Sequence, residues 1–258
     1  MHHAYIDKFA YQDSPIHRLD SRVKFIVVLV FTAVVIALPR ISVSILVCYA
    51  VGPFAMLVLG RIPLKFALRH ILLISPFILV LALSSPLYDK TPVDVAFGPF
   101  SWRTSLGWLR CFSIAGKFVV TMSALIALVS TTRFADLLAG LQRLGLPKLL
   151  TIQLGFLYRY IFVLIDRAHH ILQARAGRRL RNLGFRMELK TAAAMLGSLF
   201  VRSIDTAERI NIAMQARGFS GNWHTISRLQ ICRADYIFII AAAFFILGLH
   251  FFARPFLQ

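Results

Sequence analysis

Five long apolar runs constrain the fold of this chain more than any other feature of its sequence. Short polar stretches or turns containing proline and glycine separate them, and 58% of the residues are hydrophobic. Such runs exceed the needs of a soluble core and fit the hydrocarbon thickness of a bilayer. The chain is therefore predicted to be an all-α, polytopic membrane protein with about five transmembrane helices. The expected spans are residues 25–38, 41–59, 66–83, 106–129 and 235–252.

The first run is the shortest, so its flanks decide whether it can cross the bilayer. Residues 25–38 form a helix of roughly 21 Å, whereas the hydrocarbon core is about 30 Å thick. We expect Val23 and the aliphatic stem of Lys24 to extend this span, with the Lys24 ammonium group reaching the polar interface. No positively charged segment leads into a cleavable signal core, so the first run is predicted to be a membrane span.

Positive charge is concentrated in residues 131–233, which hold sixteen of the 29 Lys and Arg residues but five of the 11 Asp and Glu residues. Because Lys and Arg are enriched on the cytoplasmic side of membranes, this region and the N-terminus are predicted to be cytoplasmic. Five crossings then place the C-terminus outside the cell membrane. The net charge of +18 is explained by orientation and by contact with anionic lipid, and no nucleic-acid partner is predicted.

The basic region is expected to form amphipathic helices on the cytoplasmic side, between the fourth and fifth spans. Its middle helix contains the apolar run 149–165, which also carries Gln153 and Arg159, so we predict an interfacial or protein-packed helix rather than a sixth span. The predicted helices are residues 134–144, a helix that follows Pro147, and residues 188–217. We therefore expect three regions. Residues 1–130 contain the N-terminal cytoplasmic segment and the first four spans, residues 131–233 contain these cytoplasmic helices, and residues 234–258 contain the last span.

One sequence pattern occurs twice in the two long cytoplasmic helices, 39 residues apart. It reads Asp-x-Ala-x-x-Ile-x-x-Ala-x-x-[Gly/Ala]-Arg and runs from Asp166 to Arg178 and from Asp205 to Arg217. Each unit predicts a helix with a stripe of small residues, suited to close packing, that ends in a cation. The repetition indicates a partner with two equivalent sockets. The candidate residues are Ala174, Gly177, Arg178, Ala213, Ala216, Arg217 and Gly218.

The sequence provides no positive indication of an enzyme, a metal site or a cofactor. Cys48, Cys111 and Cys232 lack the spacing of a disulfide framework or a metal site. Two other classes of function remain as alternatives. A membrane-embedded enzyme acting on lipid or prenyl phosphates would use the basic helices to hold phosphate, and a self-sufficient channel or carrier would be lined by Arg110 and Lys117.

Three stretches of the sequence resemble a known transporter family. They are residues 6–24, with Ser14-Pro-Ile-His-Arg-Leu-Asp-Ser-Arg-Val-Lys24, then Arg159-Tyr160-Ile161 through Arg178, and finally Ala213-Met-Gln-Ala-Arg-Gly218. With the order of the apolar runs they cover nearly the whole chain. The chain resembles the transmembrane T component of energy-coupling-factor (ECF) transporters, which are ABC-type importers, and most closely the cobalt-type T component CbiQ.

The resemblance implies specific roles for the two arginine-ended helices. In this family two Ala-Arg-Gly signatures end coupling helices, and their arginines dock on a pair of ATP-binding subunits. Ala216-Arg217-Gly218 matches fully, whereas the first signature reads Gly177-Arg178-Arg179, with Arg175 as an alternative coupling residue. The implied protein is a non-catalytic subunit that links two ATPases to a substrate-capturing membrane S component. Cobalt is the implied substrate, and nickel and biotin are alternatives.

Overall fold

The computed structural model describes residues 9–39, 43–88, 92–97, 100–178, 184–219, 221 and 231–253. These residues form eight α-helices and one β-hairpin, which confirms the predicted helical membrane fold and adds two strands to it. In chain order the elements are α1 (Ser21–Ala37), α2 (Val43–Leu59), α3 (Leu64–Tyr88), β1 (Pro92–Phe97), β2 (Phe100–Ser105), α4 (Leu106–Thr131), α5 (Phe134–Arg143), α6 (Lys148–Gly177), α7 (Phe185–Ala216) and α8 (Arg233–Ala253).

Three helices in the described ranges are long and apolar enough to cross a membrane, judged by length and composition alone. They are Leu64–Leu87 in α3, Leu106–Thr131 in α4 and Lys148–Gly177, which is all of α6. The shorter apolar segment Ile45–Leu59 lies in α2. The total of five crossings therefore stays a prediction, as does the interfacial placement of α6.

The described residues divide into two compact units. One unit contains residues 9–140 and 231–253. Its core forms where α1 and α2 pack against α4, around Phe31, Val35, Tyr49 and Ala124, while α3 packs on α4 through a second cluster. The other unit contains residues 141–219 with residue 221, and its main elements are the long helices α6 and α7.

A β-hairpin lies almost entirely within residues 84–104, the connection between the third and fourth predicted spans, where Pro86, Pro92, Gly98 and Pro99 predict an irregular outer loop. Strands β1 and β2 pair antiparallel, with Val95 opposite Trp102 and Phe97 opposite Phe100. The expectation of a loop rested on the prolines and glycine of this segment. The alternating β-branched and aromatic residues on either side of Gly98-Pro99 are typical of a hairpin, and the prediction of a loop did not take them into account.

A buried polar cluster joins the N-terminal ends of α1 and α8 to the C-terminal end of α4. The Asp20 side chain caps α1 by accepting from the Arg22 amide at 2.9 Å, and the Asp20 amide donates to Asp235 Oδ1 at 2.8 Å. Asp235 also accepts from the Cys232 amide at 2.7 Å, and its exposed fraction is 1%. One carboxylate therefore holds the first turn of α8 against the N-terminus of α1.

Lys24 belongs to the same cluster, so our expectation that it reaches the membrane interface is wrong. Its exposed fraction is 1%, and Nζ donates to the carbonyl oxygen of Thr131 at 2.9 Å, at the C-terminus of α4. The carboxylates of Asp136, Asp235 and Asp20 are close enough to attract the ammonium charge. Nearby acceptors and carboxylates offset part of the cost of burying this charge, and they favour its inward position.

Lys117, the intramembrane cation that we considered as a pathway residue, contacts the end of a helix. Its Nζ donates to the carbonyl oxygens of Ile36 and Leu38, which lie at the C-terminus of α1. The last carbonyls of a helix lack intrahelical donors and carry partial negative charge, so a lysine at this position stabilises the helix end. These contacts give Lys117 a structural role.

His17 makes the segment before α1 sensitive to pH. Its Nε2–H donates to the carbonyl oxygen of Phe9 at 2.9 Å, so Nδ1 accepts from the Ser14 hydroxyl at 2.6 Å. Burial lowers the pKa of His17 below its usual 6.5, and the charge of Lys24 acts in the same direction. The folded state takes up this proton less readily than the unfolded chain. The contribution of His17 to the free energy of unfolding is therefore complete above pH 6.5, and it falls as the pH decreases below that value.

We therefore expect the thermal unfolding midpoint of the purified protein to fall more steeply with decreasing pH than that of the His17→Gln variant. The measurement is a thermal unfolding series in detergent between about pH 7.5 and about pH 5.5. His169→Gln, which alters an exposed histidine of α6, is the control and is expected to follow the parent protein. Parallel curves for the parent and His17→Gln would contradict this assignment.

Candidate functional site

The two copies of the repeated pattern end their helices with the same local geometry. Arg178 is the C-cap of α6, with φ −99° and ψ −2°, and Arg217 is the C-cap of α7, with φ −92° and ψ 10°. The amide of Arg178 donates to Arg175 O at 3.0 Å, and the amide of Arg217 donates to Met214 O at 3.1 Å. The repeat therefore places two arginines at equivalent positions on two helix ends.

Gly218 and Phe219 fix the end of α7 in a Schellman motif. The Gly218 amide donates to Gln215 O at 2.9 Å, and the Phe219 amide donates to Met214 O at 3.0 Å. Gly218 has φ +78°, a left-handed conformation that costs a residue with a side chain about 1 kcal/mol. The Phe219 ring then packs edge-on against Phe156 of α6, with 6.4 Å between the ring centroids. The backbone around Arg217 is therefore held independently of the Arg217 side chain.

The two candidate arginines of the first copy differ in their contacts and in their exposure. The Arg175 guanidinium forms an ion pair and a hydrogen bond with Glu188 in the first turn of α7, and it is half-buried. Arg178 is exposed. A contact within the chain thus occupies Arg175, whereas Arg178, at the edge of the open groove between α6 and α7, is exposed as Arg217 is. Arg179, the point at which the first signature departs from the family pattern, lies outside the described residues.

Both helix-end arginines are available to a partner. Arg178 and Arg217 are exposed, and within the described part of the chain neither side chain has an ion pair or a hydrogen bond. The small candidate residues of the repeat are exposed as well, whereas Ala168, earlier on α6, is half-buried, so the close packing of the small-residue stripe stays a prediction. These exposed positions are Ala174, Gly177, Ala213 and Ala216.

Helix α7 has 32 residues, and none of them is buried. Its half-buried positions recur every three or four residues and include Met195, Ser203, Thr206 and Ile210. Large apolar side chains remain exposed elsewhere on the helix, among them Leu196 at 67% and Phe200 at 66%. Most helices depend on the packing of an apolar face for stability, so the exposed apolar side of α7 is a candidate contact surface for lipid or another protein.

Within the described residues no group of three His, Cys, Asp or Glu side chains is placed to hold a metal ion. Cys48, Cys111 and Cys232 are free thiols. The chemistry at the ends of α6 and α7 is therefore that of exposed guanidinium groups, which bind carboxylates, phosphates and carbonyl oxygens.

The sequence matches the family of cobalt transport proteins named CbiQ over residues 12–227. The chain belongs to the CbiQ family. This CbiQ-family protein is 30% identical over 227 residues to the energy-coupling factor transporter transmembrane protein EcfT of Bacillus selenitireducens, and the alignment covers 84% of each chain.

Two further relatives support the same family. The CbiQ-family protein is 27% identical over 205 residues to the cobalt transport protein CbiQ of Rhodobacter capsulatus, covering 79% of this chain and 80% of the relative. It is 26% identical over 255 residues to the EcfT of Listeria innocua, covering 94% of this chain and 95% of the relative. These similarities support an ECF-type T component embedded in a membrane.

Two contacts in the unit that contains α6 and α7 of this CbiQ-family protein were not predicted from the sequence. The packing of Phe219 on Phe156 had a local signal, because an apolar residue directly after a C-terminal glycine often contacts the helix. Arg167 donates to the Thr206 hydroxyl and, at 3.5 Å, to the Arg202 carbonyl oxygen, so it joins α6 to α7. Sequence spacing gives no signal for that contact, because the residues belong to different helices.

Proposed function

We propose that this chain is the coupling subunit of an ATP-driven ECF-type importer. It links two ATP-binding subunits on the cytoplasmic side to a membrane S component that captures the substrate. The observation that carries the proposal is the pair of exposed arginines, Arg178 and Arg217, at equivalent C-cap positions of two long helices. The chain itself is non-catalytic in this proposal, and its partners hydrolyse the ATP.

Arginine is well suited to such a docking role. Its planar guanidinium group donates several hydrogen bonds at once to carboxylates or carbonyl oxygens, and it stays charged at all physiological pH values. Both C-cap arginines are exposed, so a partner that approaches the helix ends can reach them. The Schellman motif at Gly218 fixes the backbone next to Arg217.

In the proposed mechanism, closure of the two ATPases on ATP displaces the docked ends of α6 and α7. Each helix is long enough to transmit this displacement, since 30 and 32 residues correspond to roughly 45 Å and 48 Å. The exposed apolar side chains of α7, such as Leu196 and Phe200, provide a surface for the S component or the bilayer. The substrate would thus be released through contacts made by the same helices.

The proposed location is the cell membrane, with the N-terminus and residues 131–233 cytoplasmic and the C-terminus outside. The enrichment of Lys and Arg in residues 131–233 supports this orientation. Cobalt is the proposed substrate because the family and the Rhodobacter capsulatus relative are described as cobalt transport proteins. A T component for nickel or biotin is the alternative, since the substrate would be chosen by the S component.

Co-purification tests this function directly. The tagged full-length chain, isolated from membranes of its own source, is expected to bring with it a pair of ATP-binding subunits and a small membrane protein, identified by mass. The intact assembly is expected to take up cobalt into liposomes only when ATP is supplied. Cobalt uptake by the isolated chain without an ATPase would show instead that it is a self-sufficient carrier.

A further inference from the structure

A basic cavity of about 1130 Å³ lies between α6 and α7. Both helices contribute arginines to it, and Thr191, Ser198 and Thr206 add hydroxyl groups from α7. The volume lies just above the usual range of ligand-binding clefts, which is about 300–1,000 Å³. The arginines are Arg167, Arg175, Arg178, Arg202 and Arg209.

The positive charge in this cavity exceeds the negative charge by a wide margin. Asp205 is the carboxylate that lines the cavity, and Glu188 pairs with Arg175 beside it. If these two carboxylates each offset one arginine, three positive charges remain in a single cleft. Clustered like charges repel one another, so an anion that carries more than one acceptor oxygen would stabilise this arrangement.

The cavity continues into an apolar one along the same pair of helices. This second cavity has a volume of about 310 Å³, and Arg167 and Thr206 line both cavities. Its other walls are almost entirely apolar or aromatic. They are formed mainly by Phe156, Tyr160, Val163, Leu164, Ile210 and Met214. The groove between α6 and α7 thus has a cationic half and an apolar half, which meet at Arg167.

We propose that this groove binds an anionic glycerophospholipid, with its phosphate among the arginines and part of an acyl chain in the apolar half. A soluble phosphate compound would satisfy the cationic half alone, and an apolar molecule would satisfy the apolar half alone. An anionic lipid satisfies both. Basic clusters on helices close to a membrane are the usual binding sites of anionic headgroups. The site goes beyond the coupling role, and its test requires neither the ATPases nor the S component.

The test is a lipid titration of the delipidated full-length chain in detergent, followed by native mass spectrometry. Phosphatidylglycerol is expected to bind, whereas phosphatidylcholine and soluble glycerol phosphate are expected to bind at least about tenfold more weakly. The double variant R202Q/R209Q is expected to lose phosphatidylglycerol affinity by about tenfold or more. Ala207→Phe, which fills the apolar half, is expected to weaken lipid binding as well.

Matched controls separate lipid binding from loss of structure. Arg159→Gln on α6 and Arg186→Gln on α7 remove exposed arginines outside the groove and are expected to bind phosphatidylglycerol as the parent does. R202K/R209K keeps both charges and is expected to retain most of the affinity. Unchanged affinity in R202Q/R209Q, equal losses in the controls, or glycerol phosphate binding as tightly as the lipid would overturn the proposal.

Discussion

Replacing Arg217 with alanine is expected to reduce ATP-dependent uptake at least about tenfold while the protein still inserts into the membrane. In the proposed complex, truncation would leave the acceptors of the ATPase groove without their charged donor. The fold of the chain should not change, because Gly218 and Phe219 fix the helix end without the arginine side chain. The measurements are uptake by the reconstituted complex and the amount of chain recovered from membranes.

A matched control is available on the same helix. Arg186 is exposed and lies at the opposite end of α7, so Arg186→Ala removes an equal charge far from the helix tip. Its uptake is expected to remain near that of the parent. Arg217→Lys should be intermediate, because lysine keeps the charge and loses the planar fork. Parent-like uptake by Arg217→Ala, with normal recovery from membranes, would eliminate the docking role.

The same comparison settles which arginine of the first repeat is equivalent to Arg217. Arg178→Ala is expected to reduce uptake as Arg217→Ala does. Arg175→Gln is expected to act on folding instead, since it removes the ion pair that joins the end of α6 to Glu188 of α7. The distinguishing readout is the thermal unfolding midpoint, which should fall for Arg175→Gln and stay constant for Arg178→Ala.

The helices of this chain could be predicted from its sequence because their signals are local. The predicted helix at residues 134–144 is observed as Phe134–Arg143, and it is followed by Gly145 with φ +108°. The predicted helix at residues 188–217 is observed as Phe185–Ala216. Apolar periodicity, a glycine after the last turn and a nearby proline suffice for such predictions, and the remaining errors are at helix ends.

The contacts between helices could not be predicted, because sequence spacing fixes a face only within one helix. Helical spacing places one face of α7 along Ala192, Leu196, Leu199, Ser203, Ala207, Ile210 and Met214. The structure half-buries these positions except Leu196 and Ala207, which are exposed. The positions of Arg167 and Arg175 beside α7 depend on how the two helices cross. The exposed small residues of the repeat show the same limitation. The sequence predicts that they form a stripe on each helix, but it does not predict which surface packs against that stripe.

Lys24 illustrates a different limitation. A lysine next to a short apolar run has two ways to satisfy its charge, by extending to the membrane interface or by pairing inside the protein. The sequence favours the first, because two of the three acidic partners, Asp136 and Asp235, lie more than a hundred residues away. Tertiary structure brings these carboxylates close to Lys24, and the inward position then prevails.

The second large effect is expected from Lys24→Met, which should destabilise the protein by about 3–5 kcal/mol. Methionine fills a similar volume but removes the ammonium group that donates to Thr131 O at 2.9 Å and compensates the buried Asp20 and Asp235. The lost attraction leaves two buried carboxylates with less positive charge around them. The measurements are the thermal unfolding midpoint in detergent and the yield of folded protein from membranes.

Lys65→Met is the control for Lys24→Met, because Lys65 is exposed at the start of α3 and its replacement is expected to change stability little. A double-mutant cycle with Asp235→Asn isolates the electrostatic part. Once Lys24 is absent, removing the charge of Asp235 relieves repulsion between buried carboxylates, so the double variant should lose less stability than the two single losses combined. Purely additive losses would mean that Lys24 acts through packing and its bond to Thr131 alone, and a stable Lys24→Met variant would show that its buried charge contributes nothing to the fold.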